Sequence, residues 1–276
     1  MEAEKPAKFA VAVTGASAGI GRSIAKVAAR EGRAVVLIAR SPKGLSEAAE
    51  EVRKAGGEAY TLELDLLEAG AVSRIDAFLA QHGLLCDVLV NSAGYGLRGP
   101  AASLPIKDQL GIIDLNIRAL TELTLHFLPQ MLDRGRGGVL NLSSVASYTP
   151  GPYMALYYSS KSFVRAFSES IHEEVRSAGV MVTCVVPGPV KTKFLQKAHA
   201  DRAPLFRLLP KVDPDFVAER AWKGLRSGRR LVVPGLLTKL AIFGAWILPS
   251  AALAFLVGAM QRNNDERPRS GKSNMD

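Results

Sequence analysis

A tyrosine and a lysine one helical turn apart are the side chains of this sequence best suited to chemistry. Residues 155–163 read ALYYSSKSF, in which two adjacent tyrosines, Tyr157 and Tyr158, precede Lys161. On a helix, side chains three or four residues apart are neighbours, so either phenol can lie near the lysine. A nearby ammonium favours the phenolate form and so suits a tyrosine to proton transfer. The spacing alone leaves both tyrosines as candidates, and Tyr153 lies just before the predicted helix.

A glycine-rich loop near the amino terminus forms a second candidate site. Residues 14–21 read TGASAGIG and follow an apolar run directly. Phosphate groups bind to backbone N–H groups at a helix N-terminus when no side chain blocks their approach. Gly15, Gly19 and Gly21 would leave that approach open. Their spacing differs from the usual G-x-G-x-x-G, and strand-to-helix turns also carry glycine for packing alone, so the loop needs support from other residues.

That support comes from the end of the next apolar run. The run ends in Ala39-Arg40-Ser41, where an acidic residue would hydrogen-bond the ribose hydroxyls of NAD. Arg40 instead offers a guanidinium, which suits a 2′-phosphate by charge and by geometry. We therefore predict NADP(H) as the cofactor, with an ordinary surface charge as the alternative explanation of Arg40.

The elements that must position these residues alternate along the chain. Apolar runs rich in Val and Leu alternate with segments of helical periodicity that end in Gly. This alternation predicts a doubly wound (Rossmann) α/β fold, a parallel sheet of about seven strands with helices on both faces. The predicted strands are 9–15, 34–40, 59–66, 88–94, 138–144, 180–188 and 230–235.

Composition limits the class of protein. Hydrophobic residues make up 48% of the 276 residues and charged residues 22%, which supports a sizeable core in one α/β domain. The net charge is +9, but the charges are scattered and no nucleic-acid motif occurs. We expect no nucleic-acid partner and attribute the charge to a basic surface or to an affinity for anionic membranes.

Cysteine and histidine usage points to a reducing compartment and away from a metal enzyme. Cys86 and Cys184 stand alone in apolar runs, which predicts buried free thiols. The four histidines form no ligand cluster, so we expect no catalytic metal. The amino-terminal residues MEAEKPAK carry no secretory signal. The sequence predicts a cytoplasmic protein, with peripheral or anchored attachment to a membrane as an open alternative.

Two regions depart from the strand–helix pattern. Residues 189–213 form a basic, irregular loop that could close over a substrate, and residues 236–262 form an unusually apolar extension of the catalytic domain at 1–235. Residues 240–260 carry no charge, and this uncharged segment is long enough for a membrane span. Three alternatives stay open for them: two short helices broken at Pro249 that cover the cleft or lie in a membrane interface, a transmembrane anchor, or a buried oligomer contact. Residues 263–276 are predicted to be a disordered tail.

Several motifs in order resemble the short-chain dehydrogenase/reductase family, over residues 8 to 235. They are T-G-x3-G-x-G, the sequence Asn91-Ser92-Ala93-Gly94, a serine thirteen residues before Tyr-x3-Lys, and Pro187-Gly188 followed by Thr192. The resemblance is to the shorter, core-length members. It selects Tyr157 as the functional tyrosine, because Tyr157 and not Tyr158 completes Tyr-x3-Lys, and it selects Ser144 by its spacing.

The resemblance implies a catalytic set of four residues. Tyr157 would be the general acid in reduction and the general base in oxidation. Lys161 would lower the pKa of Tyr157 and hold the nicotinamide ribose. Ser144 would hydrogen-bond the substrate oxygen, and Asn116 would anchor a water that relays protons toward Lys161. The alternative for Asn116 is a helix residue that only satisfies its neighbours.

The same resemblance implies a set of cofactor contacts, to which Tyr157 and Lys161 also belong. Asp65 would contact the adenine, and Ala18 stands where NADP-using relatives often carry a basic residue, which leaves Arg40 to recognise the phosphate. Asn91 has a simpler alternative role, which is to tie the central strand in place. The full set is Thr14, Gly15, Ser17, Gly19, Ile20, Gly21, Arg40, Asp65, Asn91, Ala93, Gly94, Pro187, Gly188, Val190 and Thr192.

These features together predict an NADP(H)-dependent oxidoreductase that interconverts a carbonyl and a secondary alcohol. An apolar extension beside the cleft suits a lipophilic substrate of steroid, retinoid or acyl type, as in hydroxysteroid dehydrogenases and ketoacyl reductases. The family also implies a homo-oligomer through helices at roughly 105–132 and 155–178. Two other hypotheses are a non-catalytic NADP-binding sensor and a membrane-attached scaffold.

Overall fold

Seven strands form the centre of the molecule in the computed structural model, which describes residues 8–192, 194 and 210–262. They are β1 (Lys8–Thr14), β2 (Ala34–Ala39), β3 (Glu58–Glu63), β4 (Leu84–Asn91), β5 (Gly137–Leu142), β6 (Val180–Val185) and β7 (Leu231–Val232). All neighbours pair in parallel, in the order β3-β2-β1-β4-β5-β6-β7. The predicted parallel sheet of about seven strands is confirmed.

Helices cover both faces of this sheet. They are α1 (Gly19–Ala29), α2 (Pro42–Lys54), α3 (Ala71–Gln81), α4 (Ile106–Ile113), α5 (Leu120–Asp133), α6 (Ala155–Val175), α7 (Pro214–Arg226), α8 (Leu236–Ile247) and α9 (Ser250–Gln261). One core joins the sheet to α1, α2 and α7, and a second joins it to α3, α5 and α6. Strands buried on both faces need apolar side chains on both sides, which explains their continuous Val- and Leu-rich runs.

The strand order reverses beside β1, which pairs with β2 on one side and with β4 on the other. Chains leaving β1 and β4 therefore diverge and open a crevice at the carboxyl ends of the strands. Ligands of doubly wound sheets bind at such a switch point. The glycine loop follows β1 and residues 92–94 follow β4, so both predicted motifs lie at this crevice.

The fourth strand starts earlier than the sequence pattern predicts, at Leu84 rather than at residue 88. Asp87 interrupts the apolar run and hides the first half of the strand from a pattern search. The carboxylate of Asp87 is buried, and it accepts hydrogen bonds from Arg33 Nη1 at 2.9 Å and Arg136 Nε at 3.1 Å. The two guanidinium groups compensate the charge and allow the strand to continue.

The predicted long helix at 105–132 is interrupted. A π-helical turn, Asp114–Ala119, separates α4 from α5. Such turns are frequent at functional sites, because they redirect side chains, and this one carries Asn116. Leu110, Leu125 and Phe163 are exposed on α4, α5 and α6. An oligomer through these helices stays a prediction.

The apolar carboxyl-terminal segment forms two twelve-residue helices, α8 and α9, separated at Leu248–Pro249. This is the geometry of the two-helix alternative. Ile242 and Leu253 are buried against the body of the protein. Within the described ranges, none of the helices has the length and apolarity needed to cross a bilayer. Most of the predicted loop at 189–213 and the predicted tail at 263–276 lie outside the described residues.

Candidate active site

Helix α6 presents Tyr157 and Lys161 on one buried face. Both side chains are buried, and Lys161 Nζ lies 5.9 Å from the centre of the Tyr157 ring. Lys161 Nζ donates a hydrogen bond to the carbonyl oxygen of Leu142 at 2.8 Å, which fixes the ammonium at the end of β5. The Ser143 hydroxyl donates to the Lys161 carbonyl oxygen at 2.8 Å. A phenol and an ammonium are thereby held together in an enclosed site.

Burial shifts the two groups toward their neutral forms. Desolvation raises the pKa of Tyr157 to about 12, which a hydrogen bond with the Ser144 hydroxyl only partly offsets. Desolvation lowers the pKa of Lys161 to about 8. The raised pKa of Tyr157 reflects its burial, which penalises the phenolate. The predicted lowering of the Tyr157 pKa by Lys161 together with an oxidised nicotinamide stays a prediction.

The neighbouring tyrosine faces a different partner. The hydroxyl of Tyr158 accepts a hydrogen bond from Gln261 Nε2 of α9 at 3.1 Å. The two tyrosine rings meet edge to face, with centroids 6.1 Å apart. Of the two tyrosines, Tyr157 has the ring contact with the lysine, whereas Tyr158 anchors the carboxyl-terminal helix. The geometry therefore separates two residues that their spacing to Lys161 could not.

Ser144 begins the short 3-10 helix Val145–Tyr148 that follows β5. Its side-chain oxygen caps this helix by accepting a hydrogen bond from Ala146 N at 3.2 Å. The cap fixes the serine rotamer. Because the same hydroxyl also bonds with the Tyr157 phenol, Ser144 and Tyr157 can address one substrate oxygen together.

Asn116 joins the π-helical turn to the loop after β4. Its side-chain amide bonds to both backbone groups of Tyr95, accepting from N at 3.1 Å and donating to O at 2.9 Å. It also donates to Ser160 Oγ at 3.0 Å. These contacts use both amide hydrogens, as in the alternative role of satisfying neighbours, and the proton-relay role stays a prediction. A Cβ atom at Gly94 would lie 2.9 Å from Asn116 Oδ1 and 3.6 Å from Lys161 Nζ, so a glycine is needed there.

The glycine loop forms an open cradle at the start of α1. Gly15 and Gly19 have φ values of 65° and 60°, a region that side chains other than glycine rarely adopt. A Cβ atom at Gly21 would lie 2.8 Å from the carbonyl oxygen of Gly15, so the helix can start this close to the loop only with glycine. Ile20 instead packs against the core. The first backbone N–H groups of α1 thus face the crevice with no side chain in front of them.

A polar pocket edge lies beside this cradle, where β2 ends and α2 begins. Arg40 is 69% exposed in its side chain, and its Nη1 lies 3.4 Å from Asp65 Oδ2. Ser41 caps α2 by accepting a hydrogen bond from Gly44 N. Ser17 lies against Gly44, where a Cβ atom would come 2.7 Å from the Ser17 Cβ. Arg40, Ser17 and Ser41 therefore surround one helix N-terminus, and Ser41 was not predicted as a site residue.

Two of the predicted cofactor residues lie beneath the crevice. The Thr14 hydroxyl accepts hydrogen bonds from Ser92 N at 3.1 Å and Ala93 N at 3.2 Å, which joins the ends of β1 and β4. Asn91 is buried and donates to Asn141 Oδ1 at 2.9 Å and to Thr124. These are contacts that tie strands together, which is the simpler role considered for Asn91.

The segment after β6 closes the far side of the crevice. The Pro187 carbonyl accepts a hydrogen bond from Val145 N at 2.9 Å, which joins this segment to the 3-10 helix. Val190 is buried and forms a parallel bridge with Val212. A Cβ atom at Gly19 would lie 3.1 Å from Thr192 Cγ2, so Thr192 faces the glycine loop directly. Gly188, which follows Pro187 in this segment, lies against Thr238 of α8.

Several apolar contacts of Tyr157 were missed by sequence reasoning. The ring of Phe194 lies 5.2 Å from that of Tyr157, and Met154 and Val257 pack in the same cluster. The backbone of Gly96 lies against the ring, where a Cβ atom would come within 3.0 Å. No motif marks these residues, because their role is to contribute apolar surface at long sequence separation. Cys86 and Cys184 are buried free thiols, as predicted.

Comparison with known proteins agrees with this geometry. The short-chain dehydrogenase family model matches residues 9–203. A very-long-chain 3-oxoacyl-CoA reductase of Homo sapiens is 37% identical over 187 residues, which covers 66% of this chain and 59% of that protein. The chain therefore spans about six tenths of the length of this relative.

Solved structures show the same fold over most of the chain. A short-chain dehydrogenase from Sphingobium yanoikuyae in complex with NADPH has a TM-score of 0.75 and 26% identity, covering 96% of this chain and 98% of that one. A 3-ketoacyl-(acyl-carrier-protein) reductase from Brucella melitensis complexed with NADH has a TM-score of 0.71 and 25% identity, covering 83% and 96%. The family match, the sheet order and the buried tyrosine–lysine pair lead to one conclusion. The chain belongs to the short-chain dehydrogenase/reductase family.

Proposed function

We propose that this protein reduces the keto group of a lipophilic substrate, of the 3-oxoacyl thioester class, to a secondary alcohol with NADPH. One observation carries the proposal, which is the buried Tyr157–Lys161 pair at the crevice edge. A binding module has no need of an enclosed proton donor beside an ammonium. The name of the human relative, a 3-oxoacyl-CoA reductase, supports the acyl class over the steroid and retinoid classes.

The residues around the crevice fit a dinucleotide. Backbone N–H groups at the start of α1 are free of side chains because Gly15, Gly19 and Gly21 precede and open the helix. A diphosphate would bind there, since the N-terminus of a helix attracts negative charge. Gly94, Asn116 and Lys161 lie together at the crevice, and the nicotinamide ribose would bind beside them.

The 2′-phosphate of NADP(H) would lie at the N-terminus of α2. Arg40 is weakly held by Asp65, at 3.4 Å, and its guanidinium is exposed. Ser17 and Ser41 place hydroxyl groups beside the same N-terminus of α2. A charge-assisted hydrogen bond from an arginine to a phosphate stabilises NADPH, and an acidic residue that would favour NADH is missing from this strand end.

Reduction of a ketone adds a hydride to its carbon atom and a proton to its oxygen atom. Bound NADPH supplies the hydride. Tyr157 donates its phenolic proton to the developing alkoxide, and the raised pKa keeps that proton in place at neutral pH. Ser144 donates a hydrogen bond to the same oxygen. The Lys161 ammonium stabilises the phenolate left behind, and solvent returns the proton to Tyr157 before the next turnover.

The apolar lining of the site suits an acyl chain. Met154, Phe194 and Val257 pack around Tyr157, and α9 contributes Leu253 on the same side. Burying each methylene of a chain in such a lining stabilises the complex by about 0.8 kcal/mol. Substrates with longer chains should therefore bind more tightly, until the chain extends beyond the lining.

A chain-length series tests this proposal. Purified protein is assayed for NADPH consumption with 3-oxoacyl-CoA esters of increasing length, and in parallel with NADH. We expect kcat/KM to rise about tenfold for each two methylenes that become buried and to favour NADPH. Equal rates for short polar and long apolar ketones would contradict the acyl class, and tight NADPH binding without turnover on any ketone would contradict the reductase function.

A further inference from the structure

We infer that helices α8 and α9 dock the protein onto a membrane that contains anionic phospholipid. Both helices carry large apolar side chains on their outer as well as their inner sides, yet only the inner sides are covered by the described protein. A helix that is apolar all round normally lies in a protein core or in a membrane. The outer sides form what we name the C-terminal apolar face, and its exposed residues are Leu236, Leu237, Leu240, Phe243, Trp246, Ile247, Leu248, Phe255, Leu256 and Met260.

The apolar side chains of this face form a regular stripe on α8. On α8, Leu236, Leu240, Phe243 and Ile247 recur at helical spacing on the solvent side, whereas Ile242 is buried. Large contiguous apolar patches that are exposed on a soluble protein mark interaction sites.

Two aromatic side chains are the most exposed residues of the C-terminal apolar face. Trp246 is 74% and Phe255 76% exposed. Tryptophan is enriched where protein meets the boundary between lipid and water.

Charge around the face favours anionic lipid as its partner. No Asp or Glu occurs between Arg230 and Arg262, whereas Lys239 is exposed on α8. Lys191 and Lys211 are exposed next to the bridged residues Val190 and Val212. Val212 Cγ1 lies 3.9 Å from where a Cβ atom of Gly235 would be, at the start of α8. Cations at the edge of an apolar face bind lipid phosphates while the apolar side chains enter the acyl region.

A second copy of the chain fits this surface less well. Two molecules meeting through the face would bring their lysines together, in a protein whose net charge is already +9. Like charges at an interface oppose association, whereas the negative potential of an anionic membrane attracts the same groups.

Helix length fixes how the protein would lie on the membrane. Each helix has twelve residues and spans about 18 Å, less than the roughly 30 Å of a bilayer core. Leu248 and Pro249 have extended backbone angles that break the path between the helices. The pair therefore lies in the plane of the interface, with Trp246 and Phe255 below the lipid phosphates.

The inner sides of the same helices lead to the candidate active site. Val257 packs with Tyr157 and Tyr158, and Gln261 donates to the Tyr158 hydroxyl. Gly258 lies against Pro152, where a Cβ atom would come within 3.4 Å. Docking would thus place the lipid within one helix diameter of Tyr157. If the proposed acyl substrate is correct, it would reach the site from the bilayer, but docking itself does not depend on that function.

Vesicle binding by the full chain tests the inference. Purified protein is mixed with vesicles of phosphatidylcholine alone or of phosphatidylcholine with phosphatidylglycerol, and the bound fraction is measured by flotation. We expect binding at least about tenfold tighter to the anionic vesicles. The double variant Trp246→Ser/Phe255→Ser should bind at least about tenfold more weakly than the wild type, because two large apolar side chains lose their burial in lipid.

A matched control separates the face from general hydrophobicity. The double variant Ile106→Ser/Leu67→Ser removes two exposed apolar side chains elsewhere on the surface, and it should bind vesicles like the wild type. Circular dichroism of both variants checks that they fold. Equal binding of all three proteins, or no binding to anionic vesicles, would overturn the inference. Loss of self-association without lipid in the Trp246→Ser/Phe255→Ser variant, with no vesicle binding by the wild type, would assign the face to a second copy.

Tryptophan fluorescence gives an independent signal that does not require activity. The chain has two tryptophans, of which Trp222 is buried and Trp246 exposed. A shift to shorter wavelength on adding anionic vesicles, together with quenching by brominated lipid, should therefore report on Trp246. An unchanged spectrum at saturating lipid would place Trp246 outside the bilayer and would count against docking.

Discussion

The sheet with its covering helices and the C-terminal helix pair use apolar residues in opposite ways. In the sheet, Val and Leu on both faces are buried by α1–α3 and α5–α7, and buried polar side chains such as Asn91 and Asn141 hydrogen-bond to each other. In α8 and α9, large apolar side chains face outward. Both regions are rich in apolar residues, so hydrophobicity alone does not tell a core from a docking surface.

The two regions differ in how much their apolar residues contribute to the stability of the isolated protein. Residues of the sheet gain free energy from burial within the chain, which is about 25 cal/mol per Å² of apolar surface removed from water. Residues of the C-terminal apolar face gain almost none in the isolated protein. Substitutions should therefore affect folding and chemistry in the first region, and interactions in the second.

Removing the charge of Lys161 beside the buried tyrosine should have a large effect on catalysis. Lys161→Met should lower kcat for ketone reduction by about 10²-fold or more, because the phenolate left on Tyr157 loses its stabilising ammonium. Because burial lowers the pKa of Lys161 to about 8, the lysine is charged below that pH and neutral above it. The wild-type kcat/KM should be level below about pH 8 and fall above it.

The control for this prediction is the pH profile of the variant. Lys161→Met should lack the fall above pH 8, and its folding is checked by its thermal unfolding. A variant that keeps the wild-type profile would assign the titration to another group and contradict the role of the lysine.

A pair of phenylalanines tests the comparison on stability. Phe127 is 1% exposed and Phe255 is 76% exposed. Phe127→Ala should lower the free energy of unfolding by about 3–5 kcal/mol through loss of burial and creation of a cavity. Phe255→Ala should change it by less than about 0.5 kcal/mol. Denaturant unfolding measures both, and similar values for the two variants would mean that the C-terminal apolar face is covered within the protein.

Cofactor choice should change by a smaller amount. Arg40→Ala removes the guanidinium proposed to bind the 2′-phosphate, and should raise the KM for NADPH by about 10- to 100-fold with little change for NADH. Arg53→Ala, at the opposite end of helix α2 from Arg40, is the matched control and should change neither constant. An equal rise for both cofactors would show that Arg40 supports the fold rather than the phosphate.

The smallest expected effect lies at the junction of the two regions. Gln261→Leu removes the hydrogen bond to the Tyr158 hydroxyl and should weaken the attachment of α9 by about 1 kcal/mol. Faster hydrogen exchange confined to α8 and α9 would report this, with Met260→Leu as the control. Exchange that accelerates across the whole sheet as well would mean that the two regions unfold together.

Much of the sheet region could be predicted from sequence, because its signals are local. Apolar runs locate the strands, and glycines mark the loop after β1. The start of β4 could not be predicted, since Asp87 is compensated by Arg33 and Arg136 from distant parts of the chain. The π-helical turn that carries Asn116 could not be predicted either. The Asn116 side chain donates hydrogen bonds to Tyr95 and Ser160, which lie far from it in the sequence.

The same limit applies to the site. The family resemblance brought Tyr157, Lys161 and Ser144 together, but it could not give the effect of burial that sets the pKa values of Tyr157 and Lys161. That effect depends on burial against Phe194, Met154 and α9, which lie far apart in the sequence. The outward direction of Trp246 and Phe255 likewise depends on which side of each helix the protein covers, and a uniformly apolar segment carries no periodic signal for that.

The central claim is that Tyr157 is the proton donor, and the single-turnover reduction rate of Tyr157→Phe compared with Tyr158→Phe tests it most directly. Both variants remove one hydroxyl from adjacent buried rings, so their packing changes are matched. The account predicts a loss of about 10²- to 10⁴-fold for Tyr157→Phe and a rate within about threefold of the wild type for Tyr158→Phe. A Tyr157→Phe variant that keeps its rate, or a larger loss in Tyr158→Phe, would contradict it.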